Sequence, residues 1–286
     1  MVRKFLLLAF LISGGCNVSY SMDMNVAVNK SEKLIYVNMW GAIQQGDEQK
    51  FKAIVLPHVR AGYIVFQVNV FSGGGSVGAA MDIGEQIRTL QARTVTAYNE
   101  ARIHNNQRVA TGQTNCGFWE SAGDYVQYKP VQGHSWCTCA SACFLIWASG
   151  ATREGGRVGI HRITWAGTEF AKLSPHEARE QYERAESNYR AYVSKLNVPT
   201  TIVDRMFATG SREMHYLSWP DLQLIQSTPY LEELVLARCG VSKHQKMSAA
   251  NNWTSTEDPV HVQCYRATLK EMMQSGAKAY LQKYDG

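Results

Sequence analysis

A buried strand that runs straight into a glycine-rich turn and then into a helix leaves few folds open to a chain. Val65–Phe71, VFQVNVF, has the apolar, β-branched and aromatic content of a strand covered on both faces. It leads at once into Ser72-Gly73-Gly74-Gly75-Ser76, after which Val77, Ala80, Met81, Gly84 and Ile87 recur on one helical face. Upstream, Lys33–Met39 (KLIYVNM) alternates as a strand, and Glu48–Val59 carries Phe51, Ile54, Val55 and Val59 at helical spacing, with Pro57 weakening its end. Downstream, Arg93–Tyr98 (RTVTAY) is another strand. Strand and helix alternate, which predicts an α/β fold with a parallel sheet and crossover helices. Glycines in the turn let backbone N–H groups approach a carbonyl oxygen or a phosphate closely. No lysine follows them, so a P-loop is excluded.

The second constraining stretch is Cys137–Arg162, CTCASACFLIWASGATREGGRVGIHR. From Ser141 onward Ala142, Phe144, Leu145, Ile146, Trp147 and Ala148 are apolar and Gly150 follows, which predicts a short buried helix with Ser141 at its N-terminus. Unpaired N–H groups there favour a developing anion. Arg157–His161 (RVGIH) is extended in character and presents an imidazole at a strand end. A serine hydroxyl is a weak nucleophile that needs a base within hydrogen-bond reach, and histidine suits that role. A lone serine beside a helix start is more often a packed cap; the glycine turn upstream is what makes the Ser141 and His161 pair worth pursuing.

Phe71–Arg88 (FSGGGSVGAAMDIGEQIR) and Cys139–Arg162, in that order, resemble the Clp protease/crotonase superfamily, specifically the periplasmic ClpP-like proteins of bacteria. The resemblance spans roughly residues 33–226. It implies a ClpP/crotonase-like spiral of ββα units with a parallel sheet, followed by an appended C-terminal helical and loop segment that lies outside it. It also implies Ser141 as nucleophile, His161 as base, and the N–H groups of Gly75 and Ala142 as the oxyanion hole. The family's aspartate does not transfer cleanly: in Val203–Ser218 (VDRMFATGSREMHYLS) the alignment places Met206 at that position, and Asp204 is the nearest carboxylate and candidate third member. The implied substrate is a peptide or unfolded protein, the implied assembly a homo-oligomer through the charged helix Pro175–Leu196, and no cofactor or metal is required. Two rival readings remain open: an inactive scaffold or binding protein of the cell envelope, and crotonase-like acyl-CoA chemistry, which would not need the Ser/His pair.

The remaining features concern compartment and organisation. Arg3 and Lys4 precede FLLLAFLI, an apolar run too short for the about 20 residues that cross a bilayer, which predicts a signal peptide and a periplasmic protein. Its cleavage falls either near residue 21, after Ser19-Tyr20-Ser21, or before Cys16, where Gly14-Gly15-Cys16 resembles a lipoprotein box and offers a lipid anchor. Of 7 cysteines, Cys116, Cys137, Cys139, Cys143, Cys239 and Cys264 form an even set once Cys16 is set aside, as expected of disulfides in an oxidising compartment. The expected bridges are Cys239 with Cys264, and Cys116 with Cys137 or Cys139; a zinc site lacks the usual ligand spacing. A net charge of +5 without a dense basic strip argues against nucleic acid. The predicted division is a catalytic domain over 30–238, with a polar, glycine-containing insertion at about 99–134 arching near the site, and a C-terminal extension over 239–286. His134, Arg162 and His215 are further polar residues with surface or packing roles as the simpler expectation.

Overall fold

The computed structural model describes residues 21–104, 107–132, 137–164, 172–240 and 259–285. The N-terminal apolar run with Cys16, His134 and the polar stretch 241–258 lie outside the described residues. The first half of the chain forms β1 (Asp23–Asn29), β2 (Leu34–Trp40), α1 (Asp47–Arg60), β3 (Ile64–Phe71), α2 (Val77–Leu90), β4 (Arg93–Val95), β5 (Tyr98–His104), β6 (Gln107–Ala122) and β7 (Tyr125–Gln132). The second half forms β8 (Cys139–Ala140), α3 (Cys143–Trp147), β9 (Arg153–Glu154), β10 (Val158–Ile160), α4 (Pro175–Lys195), α5 (Thr200–Ala208), β11 (His215–Tyr216), α6 (Trp219–Leu224), α7 (Pro229–Cys239) and α8 (Pro259–Tyr284).

The mixed α/β architecture follows from the alternation in the sequence. The five-stranded sheet has the order β1-β2-β3-β4-β9; β1 and β2 form an antiparallel hairpin, and β2, β3, β4 and β9 pair in parallel. Parallel neighbours need crossovers, and α1 and α2 supply them between β2, β3 and β4. Val65, Val68 and Val70 of β3 face the core with Phe51, Val55, Ile83, Ile87 and all of α3. Ser76 caps α2 through the Ala79 N–H at 3.3 Å. In α4, Ser174 and Glu177 form a capping box across Pro175, and Tyr189, Tyr192 and Val193 are the buried residues of the helix.

The described residues of the insertion at about 99–134 are built into strands: β5, β6 and β7 form a three-stranded antiparallel sheet, with β6 and β7 laid against β1 and β2 of the main sheet. Its alternation is hidden in the sequence because the main-sheet face beneath it is polar as well as aromatic. Buried amides tie the layers together: Gln67 Nε2 donates to Asn69 Oδ1 (2.7 Å), Asn69 Nδ2 to Asn38 Oδ1 (2.8 Å), and Asn38 Nδ2 to the Trp119 carbonyl of β6 (2.8 Å). The Trp119 N–H returns a bond to Asn38 Oδ1 at 3.0 Å, so these buried polar groups are paired rather than costly.

Disulfides join Cys116 to Cys137 and Cys239 to Cys264, and a third, not anticipated from spacing, joins Cys139 to Cys143. Among the described residues no group of three His, Cys, Asp or Glu side chains could hold a metal ion, and no helix is long and apolar enough to cross a membrane. The C-terminal helix α8 packs along α2 and buries Leu269, Met272, Met273 and Tyr280, whose hydroxyl donates to Gln86 Oε1 at 2.7 Å.

Arg153 fastens the turn after α3 to the C-terminal half of the chain. It is 2% exposed, and its guanidinium donates to the carbonyls of Gly150 (3.1 Å), Ile225 (3.0 Å) and Leu196 (2.6 Å). Leu196 and Ile225 end α4 and α6, so the cation satisfies helix-terminal carbonyls at the negative ends of two dipoles. Burial pulls its pKa down to about 10, which leaves it charged at neutral pH. Arg153→Met strips the donors from these buried carbonyls, and we expect a loss of about 3 kcal/mol in chemical denaturation. A loss under about 1 kcal/mol, within the range of one ordinary hydrogen bond, would show that these carbonyls find other donors.

Candidate active site

Three strands running in one direction deliver their carboxyl ends to the same place. β8 pairs in parallel with β10, Cys139 opposite Val158 and Ala140 opposite Gly159. On its other side Cys139 forms a parallel bridge with Ser72, which immediately follows β3; the Ser72 N–H donates to Thr138 O (2.7 Å) and the Ala140 N–H to Ser72 O (2.9 Å). Residues just past these ends therefore converge: the glycine turn after Ser72, Ser141 after β8, and His161 after β10. The carboxyl edge of a parallel sheet is where such folds generally bind ligands.

Ser141 occupies the turn between β8 and α3 with φ +58°, a left-handed backbone that costs a residue with a Cβ roughly 1 kcal/mol. Its N–H donates to Gly159 O and its carbonyl accepts from the Phe144 N–H, both at 3.0 Å. This conformation turns the hydroxyl out of the chain path, and Ser141 Oγ lies 2.7 Å from His161 Nε2. The expected nucleophile and base are thus brought together. His161 is half-buried, and desolvation pushes its pKa below the ordinary histidine value, which keeps the imidazole neutral and basic at pH 7.

The glycine turn closes the other side. Gly74 and Gly75 have φ +113° and +142°, and a Cβ on Gly74 would come within 2.6 Å of the Ser141 Cβ, so no larger residue fits against Ser141. Ile43 takes an N–H from Ser76 (2.8 Å) and gives its own to Gly74 O (3.0 Å). In a parallel bridge of this kind the N–H of the opposed residue, Gly75, turns away from Ile43. Among the described residues no backbone carbonyl takes the N–H of Gly75 or of Ala142. These are the two N–H groups expected to bind an oxyanion. α3 has only five residues, so its dipole is slight and the donors themselves matter more than the helix field.

The third position is different. Asp204 is not brought to His161: it lies on the outer face of α5 with its side chain 68% exposed, and its Oδ1 accepts from Arg190 Nη1 at 3.0 Å. Met206, two residues on, is wholly buried. His161 Nδ1 is buried, and among the described residues no protein group hydrogen-bonds to it. The Thr209 hydroxyl donates instead to Arg205 O (2.8 Å). His215 pairs through its backbone with Ile160, but its buried Nε2 likewise finds no protein partner among the described residues. The Arg162 side chain is exposed, and its N–H donates to Thr209 O at 3.2 Å.

Sequence reasoning missed Ser72 and Gly159, whose contribution is a backbone oxygen, and the Cys139–Cys143 bond around Ser141. Gly159 carries a signal in retrospect, since a Cβ there would meet Met214 Sδ at 2.7 Å.

No protein-family model matches the chain, and no curated protein matches it. Among solved structures, a variant of ClpP1 from Listeria monocytogenes overlaps it with a TM-score of 0.38 and 14% identity, covering 67% of this chain and 86% of that one. A variant of a membrane-bound stomatin-specific protease overlaps with a TM-score of 0.37 and 10% identity, covering 72% and 84% respectively. Overlaps of this size carry no inference about activity.

Because the neutral imidazole is the form that can accept a proton, acid removes the base. With burial depressing the pKa of His161, acylation of Ser141 should stay level through neutral pH and fall only below the ordinary histidine value of about 6.5. A midpoint above that value in a pH–rate profile would mean that an anion reaches the imidazole.

Proposed function

We propose that the chain is a serine peptidase of ClpP-like fold that works without ATP. The observation that carries this reading is the 2.7 Å contact between Ser141 Oγ and His161 Nε2, beside the Gly75 and Ala142 N–H groups, which no backbone carbonyl takes among the described residues. In the proposed reaction His161 Nε2 takes the Ser141 proton as Oγ attacks the scissile carbonyl carbon. The oxyanion is received by the two N–H groups; the imidazolium returns its proton to the leaving amine, and water releases the acyl group by the same route. Peptides and unfolded segments are the substrates that this reading favours. The three disulfides support an oxidising compartment, in keeping with export to the periplasm, where no nucleotide pool would drive an unfoldase.

One observation favours a second reading, a binding protein that keeps the fold without turnover: His161 Nδ1 has no protein acceptor among the described residues. A serine-reactive phosphonate probe separates the two. We expect labelling of the wild type, none of Ser141→Ala or His161→Ala, and labelling of Asp204→Asn within tenfold, under about 1.4 kcal/mol. Absence of Ser141-dependent labelling in folded protein would leave the binding reading standing. A thousandfold loss in Asp204→Asn would place that carboxylate in the reaction.

A further inference from the structure

We propose that the Cys139–Cys143 disulfide is a positioning bond for the nucleophile, and that acyl transfer at Ser141 requires it to be closed. The inference rests on the peptidase reading and assigns to that site a covalent support outside the reacting atoms.

The bond joins the residue two before Ser141 to the residue two after it. Its ends belong to elements that are held independently. Cys139 is fixed in β8 by its parallel pairing with Val158, its bridge to Ser72 and an N–H bond to Arg157 O at 3.0 Å. Cys143 opens α3, all five residues of which are at most 1% exposed. Only Ala140, Ser141 and Ala142 span the gap, and Ser141 is the one among them with positive φ. Released from the small ring, Ser141 can relax toward the right-handed region, which swings Oγ away from His161 Nε2. Closed, the ring holds the turn in the strained form in which the two atoms meet.

The ring is too small to serve mainly as a global staple. Entropic stabilisation grows with the length of the loop closed, and this sequence separation of 4 compares with 21 and 25 for the other two bridges. Both cysteines have no exposed surface, so a thiolate reaches the bond only after the turn opens locally. Opening by a dithiol reductant is a balanced exchange: the S–S bond accepts two electrons and two protons to become two thiols, and the reductant becomes a disulfide.

The test compares Cys139→Ala/Cys143→Ala with Cys116→Ala/Cys137→Ala, both checked for native circular dichroism, using an activated ester as acyl donor. We expect the first pair to lose about a hundredfold in limiting acylation rate, the scale of a misplacement of roughly 1 Å. KM should change little, and the second pair should stay within about threefold of wild type on the same scale. Wild type treated with dithiothreitol should follow the first pair and recover on reoxidation. Imidazole nitrogen NMR of His161 supplies a readout independent of turnover: the contact to Ser141 should disappear when the bond is open. Acylation or an imidazole signal unchanged in the open form would overturn the proposal. So would a first pair that fails to fold, because the bond would then be a global staple. A wild type without Ser141-dependent acylation defeats the peptidase reading, and the NMR comparison still decides the role of the bond.

Discussion

Everything at the site depends on one piece of strand pairing, the parallel register of β8 between Ser72 and β10. Two residues of β8 carry it with the residue on either side of them: Ser72 donates to Thr138 O and accepts from the Ala140 N–H on one edge, while Arg157 O and Gly159 O accept from the Cys139 and Ser141 N–H groups on the other. Slipping that register by one residue would invert which side chain emerges at each strand end. Ser141 would then point into the core and His161 would have nothing to meet. The rest of the molecule defends the register. α3 is buried on all sides, and Gly74 and Gly75 hold the adjacent turn at backbone angles closed to other residues. Arg153 pins the loop beyond α3 by three carbonyls.

The electrostatics of the site turn on the acceptor for His161 Nδ1, which finds no hydrogen-bond partner among the described residues. In a complete triad a carboxylate fixes the tautomer of the base and stabilises the imidazolium, and preventing it from accepting properly costs about four orders of magnitude in rate, or roughly 5 kcal/mol. Here Asp204, the candidate carboxylate, is engaged on the surface, where Arg190 bridges it to Glu186 and stacks over Phe207. Helical periodicity explains why: Ile202, Val203 and Met206 form the buried face of α5, so Asp204 must look outward. Desolvation lowers the proton affinity of His161, which stands ready as the neutral imidazole to accept a proton.

Much of this was legible in the chain. Val65–Phe71, the glycine turn and the helix after it read directly, because a strand covered on both faces and a helix with one apolar face have distinct periods. Ser141 and His161 stand out as a pair, one at the start of a buried apolar run and the other at the end of a short strand, and the structure brings their side chains within 2.7 Å. The segment after Arg93 was not, since β5–β7 cover a main-sheet face where Asn38, Gln67 and Asn69 replace the usual apolar contacts. Nor could spacing reveal Ser72 and Gly159, which act through main-chain oxygens, or choose Cys139–Cys143 among the possible bridges. The outward aspect of Asp204 could be read from Val203 and Met206 on either side, whereas its pairing with Arg190 required the packing of α4 against α5.

The central claim is that Ser141 becomes covalently acylated with His161 as its base. Acid quenching during turnover of an activated peptide ester, followed by peptide mass mapping, reads this directly. The account predicts an acyl group on Ser141, absent in His161→Ala at the same time point. A native protein that cleaves the ester with no acyl group on Ser141, or that carries it on another residue, would contradict it.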